Sequence, residues 1–320
     1  MLFSKIIEKK FSEVLGRYDG DPSIKYNVLS DFPLLKADNF DIKADNNIML
    51  KGYFYYYDEF KAENLIVFDH GIGAGHEAYL NEINYLAKNG FTVYAYDHTG
   101  CAKTKGQGIL GFAQGINDLD HVLTALNNDE RFKAVPRKII GHSWGAYSCM
   151  NVCALHAEVS HVVSLAGFLS AKSLSEQYIP KPFLKYSVEV MDRERQHNPK
   201  YADMNAIDSL LKSKAKLLHL QSKDDIKVKF DLASEIMMDK LKDRPNTEFI
   251  ILDGHNHDPQ RTKAAKVANE EMLIELNKLN KKHKLDNKAA QDSFKAKYNW
   301  EQIYEQDPEI WSKIIAFLNN

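Results

Sequence analysis

Gly141-His142-Ser143-Trp144-Gly145 constrains this chain more than any other stretch. Just ahead of it, Arg137-Lys138-Ile139-Ile140 reads as a short buried strand. Just after it, Ala146-Tyr147-Ser148-Cys149-Met150 reads as the opening of a helix. A G-x-S-x-G pentapeptide between strand and helix puts its serine on a tight, strained turn, with the hydroxyl pushed outward. Glycines two before and two after leave no side chain where strand and helix approach closest. The helix starts at the serine, so the Trp144 amide points at charge developing on a bound carbonyl. The pattern therefore reads as an activated serine, against the plainer alternative of a Gly/Ser turn in an α/β sheet.

The rest of the chain alternates between two periods. Phe3, Ile7, Phe11 and Val14 recur at helical spacing and predict an N-terminal helix. Residues 40–57 are rich in β-formers around Asp45-Asn46-Asn47, a hairpin signal at the antiparallel edge of a sheet. Leu65–Phe68, Phe91–Tyr96, Val162–Ala166, Ala215–Leu220 and Phe249–Leu252 read as further strands, with helices over 77–88, 116–126 and 231–242 between them. Such alternation predicts a mostly parallel central sheet with right-handed crossovers and helices on both faces. Residues 168–212 break the rhythm with an aromatic and proline-rich patch, and read as a short helical cap that shapes a pocket and excludes water. The predicted organisation is an N-terminal extension over 1–35, an α/β core over 36–167 and 213–320, and the cap. A Lys/Glu-rich helical insertion over about 261–300 is an addition to the core, with a contact between copies of the chain as its expected use. Asp307-Pro308 opens a last helix, whose Trp311, Ile314, Ile315 and Leu318 face the sheet.

Composition removes whole classes of function. Lys plus Arg is 42 and Asp plus Glu 44, a formal charge of −2, which leaves no electrostatic footprint for nucleic acid. No apolar run approaches the roughly 20 residues of a membrane span. Three cysteines, Cys101, Cys149 and Cys153, argue against a disulfide framework and for a reducing compartment, so the expectation is a cytoplasmic protein.

A serine needs a base, and the base a carboxylate to hold its tautomer. The order serine, acid, histidine suits a serine on such an elbow. Asp224-Asp225 follows one late strand, and Gly254-His255-Asn256-His257 follows the next. Asp225 is preferred to Asp224 because Asp225-x-x-Val228 has the spacing often found at this point. His255 is preferred to His257 because it follows Gly254 directly at the strand end. A His-x-His metal pair is the rival reading, but it lacks further ligands. His70-Gly71-Ile72-Gly73, at the end of the 65–68 strand, fits neither a dinucleotide fingerprint nor a P-loop. It suits the other half of an oxyanion hole, with the Ile72 amide converging on that of Trp144.

These pieces, with Asn89-Gly90-Phe91-Thr92-Val93-Tyr94-Ala95-Tyr96-Asp97-His98, resemble the α/β-hydrolase superfamily, in the branch of monoacylglycerol lipases and serine aminopeptidase-like hydrolases. The resemblance spans residues 40–260 and the final helix. It implies Ser143 as nucleophile, Asp225 as acid, His255 as base and the Ile72 and Trp144 amides as oxyanion donors. The chain departs from the family in Thr99 and Ala102, where relatives carry Arg and Gly, and in Gln221-Ser222, where a glycine is usual. The implied activity is hydrolysis of a small-molecule carboxylic ester through an acyl-enzyme, with no metal or organic cofactor. The alternatives are an amidase or aminopeptidase on the same scaffold, and a binding protein that kept the fold.

Overall fold

The computed structural model describes residues 14–320, so the helix expected from Phe3 onward lies outside the described residues. One eight-stranded sheet organises the rest, in the order β1-β4-β6-β5-β7-β8-β9-β10. Its strands are β1 (Lys36–Asn39), β4 (Gly52–Tyr56), β5 (Leu65–Asp69), β6 (Thr92–Tyr96), β7 (Arg137–His142), β8 (Val159–Leu165), β9 (Lys216–Ser222) and β10 (Thr247–Leu252). β1 pairs antiparallel with β4, and β4 with β6; every later pairing is parallel. The predicted hairpin closes as a separate ribbon of β2 (Ile42–Lys43) and β3 (Met49–Leu50) around a turn at Asp45–Asn47.

The sheet separates two cores, as strands buried on both faces require. One face packs α1 (Leu80–Lys88) and α11 (Pro308–Asn319) over Ile66, Phe68, Ile140 and Val163. Asp307 caps α11 by accepting the Glu309 and Ile310 amides, and Trp311 stacks on Tyr85 at 5.0 Å. The other face packs α2 (Gln114–Asn128), α3 (Trp144–Val152), α6 (Ala206–Lys212) and α7 (Ser234–Lys240) over Val67, Ile139 and Val162.

Residues 168–212 form α4 (Ala171–Tyr178), a 3-10 turn at Lys181–Tyr186, α5 (Ser187–His197) and α6. α4 is tied to the loop after β9: Gln177 Nε2 and the Tyr178 hydroxyl both donate to the Lys227 carbonyl, at 2.8 and 2.7 Å. From α5, Glu194 reaches back to the start of α2 and accepts the Phe112 and Ala113 amides at 2.6 and 3.0 Å. Burial pushes this carboxyl up to about 7, although both amides favour its charged form.

The expected helical insertion over about 261–300 consists of α8 (Lys263–Asn280), α9 (Lys288–Lys295) and the short α10 (Trp300–Ile303). These helices carry a third core of their own: Met272, Leu276, Leu285, Phe294, Trp300 and Ile303. Among the described residues no helix is long and apolar enough to cross a membrane.

Candidate active site

Ser143 sits at the turn between β7 and α3 with φ 54° and ψ −110°, a backbone that costs a non-glycine residue about 1–3 kcal/mol. The turn is held from outside: the Ser143 amide donates to the Leu165 carbonyl at 2.7 Å. The flanking glycines are demanded by contact. A Cβ on Gly141 would come within 2.3 Å of the Gly145 backbone, and one on Gly145 within 2.0 Å of the Asp69 carbonyl. That second approach sets the end of β5, and the 70–73 loop it feeds, directly beside the start of α3. Gly71 lies close enough to His142 that a Cβ would stand 3.2 Å from the His142 carbonyl. Among the described residues neither the Ile72 amide nor the Trp144 amide has a hydrogen-bond partner; Trp144 directly follows Ser143 at the start of α3, and Ile72 lines the same cavity as Ser143. Trp144 is fixed by its indole, which donates to the Phe112 carbonyl at 2.6 Å.

Asp225 is the acid that meets a histidine. Its carboxylate lies 2.9 and 3.0 Å from His257 Nδ1. The same carboxylate accepts the Lys227 and Val228 amides, at 2.9 and 3.0 Å, and Gln221 Nε2 at 3.3 Å. A carboxylate against Nδ1 keeps the proton there and leaves the Nε2 lone pair of His257 free. Asp224 has a different task. It accepts the Ser222 hydroxyl and the Gly254 and Asn256 amides, tying the histidine loop to the end of β9.

The structure corrects the choice of histidine. His255 is buried, and its Nδ1 donates to the Arg261 carbonyl at 2.8 Å, away from Asp225. After β10 the chain turns left-handed at Gly254 (φ 81°) and again at Asn256 (φ 51°). The two turns delay the inward-facing position by two residues, from 255 to 257. The two histidines therefore serve different partners, and among the described residues no group of three His, Cys, Asp or Glu side chains is arranged to hold a metal ion.

His142 and Tyr79 join the two halves of the site. His142 Nε2 lies 2.8 Å from the His257 carbonyl, which can only accept, so Nε2 carries the proton. Nδ1 then accepts from the Tyr79 hydroxyl at 2.8 Å, and that oxygen in turn accepts the Gly71 amide at 3.2 Å. Burial lowers His142 to about 4, so this chain stays neutral. Beneath it, His98 is wedged between Asp69 and Asp118 with its ring 4.4 Å from Trp144. Burial works against its charge, but the two carboxylates hold it up to about 9. No sequence pattern singled out Tyr79, and His98 entered only as the end of the 89–98 stretch, with no role assigned to it.

Ser143 and His257 open into one cavity of about 840 Å³, mostly apolar, with Ile72, Phe112, Phe168 and Leu174 among its walls. His255 and Asp224 do not line it. Asp258 and Arg261 do, and the two side chains lie 3.9 Å apart.

A serine on a nucleophile elbow, a carboxylate–histidine pair after the last two strands, and a sheet of this order define an α/β hydrolase. The family model described as serine aminopeptidase, S33, matches residues 61–231, more than half of the chain, and the chain belongs to that family. A monoglyceride lipase of Saccharomyces cerevisiae is 23% identical over 157 residues, 47% of this chain and 47% of the lipase, so the alignment spans about half the length of that relative. An esterase from Pyrococcus furiosus superposes with a TM-score of 0.59 over 83% of this chain and 98% of its own, at 17% identity. An acylaminoacyl peptidase from Pyrococcus horikoshii superposes with a TM-score of 0.54 over 71% of this chain and 38% of its own, also at 17% identity. At these identities the solved structures establish the shared fold.

Proposed function

We propose that the protein is a serine hydrolase that cleaves carboxylic esters bearing a long apolar chain. The observation that carries this reading is that Ser143 and His257, the latter held by Asp225 at 2.9 Å, open into one apolar cavity. In this reading Ser143 Oγ attacks the ester carbonyl while His257 Nε2 takes its proton, and Asp225 stabilises the imidazolium. The Ile72 and Trp144 amides receive the oxyanion. His257 returns the proton to the departing alcohol, and water resolves the acyl-enzyme by the same route. No step asks for a metal or an organic cofactor. At about 30 Å³ for each water-sized unit, 840 Å³ has room for more than twenty heavy atoms, the size of a long-chain ester.

An amidase or aminopeptidase is the second reading, favoured by the family description. Asp258 is the carboxylate in the cavity that would take a substrate ammonium. Arg261 already stands beside it at 3.9 Å, which weakens that use. We place the protein in the cytoplasm: Cys101, Cys149 and Cys153 are free thiols buried in the core, which suits a reducing compartment.

The test is turnover of p-nitrophenyl esters from acetate to palmitate, with matched anilides beside them. Ser143→Ala is expected to lower kcat on the preferred ester by at least ~10⁴-fold with the fold intact. Unchanged turnover by the purified variant would sink the reading, and faster turnover of the anilides would move it to the amidase.

A further inference from the structure

The cavity is walled from two directions. Leu174, Tyr178 and Ile179 come from the cap, within the span that matches the family. Met272, Leu273 and Tyr304 come from the helical addition, and Ile24 from the N-terminal stretch; all four lie outside that span. The addition is held together by contacts of its own. Thr262 caps α8 by accepting the Ala265 amide at 3.1 Å. Met272 and Leu276 bury against Phe294, Trp300 and Ile303 in a core separate from those of the sheet. Tyr304 then pins the N-terminal stretch, its hydroxyl donating to the Lys25 carbonyl at 2.8 Å. Arg261 lies over the ring of Tyr304 at 5.3 Å, which joins the addition to the floor of the cavity.

We infer that the α8–α10 addition, with Leu273 at its face, is the wall that sets how long an apolar chain the cavity accepts. A wall with its own core does not yield when a chain presses on it, because close-packed side chains resist displacement. Leu273 is half-buried on the cavity side of α8, where a change of side-chain size reaches the cavity directly. Each methylene turned out of an apolar site loses about fourfold in affinity, the equivalent of ~0.8 kcal/mol. This assignment gives the 261–300 segment a use inside its own chain, whether or not it also meets a second copy. It rests on the reading of this cavity as the substrate site.

The experiment measures binding apart from turnover. In the Ser143→Ala protein, saturated fatty acids from octanoate to palmitate compete with a fluorescent fatty acid, with and without Leu273→Trp or Leu273→Ala. Active forms are assayed in parallel on p-nitrophenyl esters of the same lengths. Leu273→Trp is expected to lower the palmitate-to-octanoate affinity ratio by about tenfold or more, as two or more methylenes lose their place. Leu273→Ala is expected to raise that ratio. A folded Leu273→Trp protein with the ratio of the parent overturns the inference, as does failure of the parent to bind any of the acids. If no ester is turned over but the ratio responds to Leu273, the hydrolase reading falls and the wall stands.

Discussion

Replacing His257 and His255 separately by alanine tests the central geometric result. His257 Nδ1 is 2.9 Å from Asp225, and its free Nε2 is the base for Ser143 under the proposed mechanism. His257→Ala is therefore expected to cost about 10⁴- to 10⁶-fold in kcat, the range of triad deletions. His255 makes a structural hydrogen bond to the Arg261 carbonyl and is 5% exposed. Its truncation leaves a buried carbonyl unpaired and a void, together about 2–4 kcal/mol of stability. With an unfolding entropy of roughly 2.1 cal/mol/K per residue, a chain this long loses about 1.5 °C per kcal/mol. A fall in Tm of about 3–6 °C is expected, with kcat within about tenfold. Initial rates on the preferred ester and a thermal melt of each variant decide the matter. A His255→Ala protein that is folded but inactive, beside an active His257→Ala, would refute the assignment.

Two further substitutions probe the supports of the site. Asp225→Asn is expected to lower kcat by about 10⁴-fold because the wrong histidine tautomer results. Asp224→Asn, which weakens the bonds to the Ser222 hydroxyl and the Gly254 and Asn256 amides without touching His257, is expected to cost about tenfold or less; equal losses in single-turnover assays would show that the acid is misassigned. Glu194 supplies a pH dependence. Its carboxyl is pushed by burial up to about 7, while the unfolded chain titrates near 4.5, so the folded state holds the extra proton between those values. Stability from this group is fully present below about pH 4.5 and falls as pH rises to about 7, by about 3 kcal/mol in all. Urea unfolding of the protein and of Glu194→Gln at pH 5, 6 and 7.5 checks this through the difference in slope, which vanishes if Glu194 titrates normally.

Elements whose physics is local were the legible ones. Leu65–Phe68 and Val93–Tyr96 are continuous apolar runs because both faces of their strands are covered, and that pattern is written in the residues themselves. The last helix was legible from its cap, since Asp307 and Pro308 act on their own first turn. The helices after residue 261 were not legible as a wall of the site. Met272 and Leu276 lie four apart on α8 and share one face, but what such a face packs against is a long-range fact. The Tyr304 bond to Lys25 joins residues at opposite ends of the chain, and no periodicity records it.

The same distinction explains why the Ser143 turn was legible and the histidine that meets Asp225 was not. Gly141 is forced by the Gly145 backbone within the span of one turn, so the motif carries much of its own geometry, while Gly145 answers to the Asp69 carbonyl at the end of β5. His255 and His257 point the same way along a regular strand, and which of them faces inward depends on the turns that precede it. A glycine at 254 permits a left-handed residue, and an asparagine at 256 tolerates a second; neither residue type compels it. What compels it is Asp224, an exposed-looking acid in the sequence, which accepts both the Gly254 and Asn256 amides and so fixes the path of the loop. The paired acids are thus a division of labour: one carboxylate shapes the loop that delivers His257, and its neighbour receives the imidazole when it arrives. Under the proposed mechanism Asp224 is therefore a positioning residue, and spacing arguments that choose between the two acids miss that both hold the histidine loop in place.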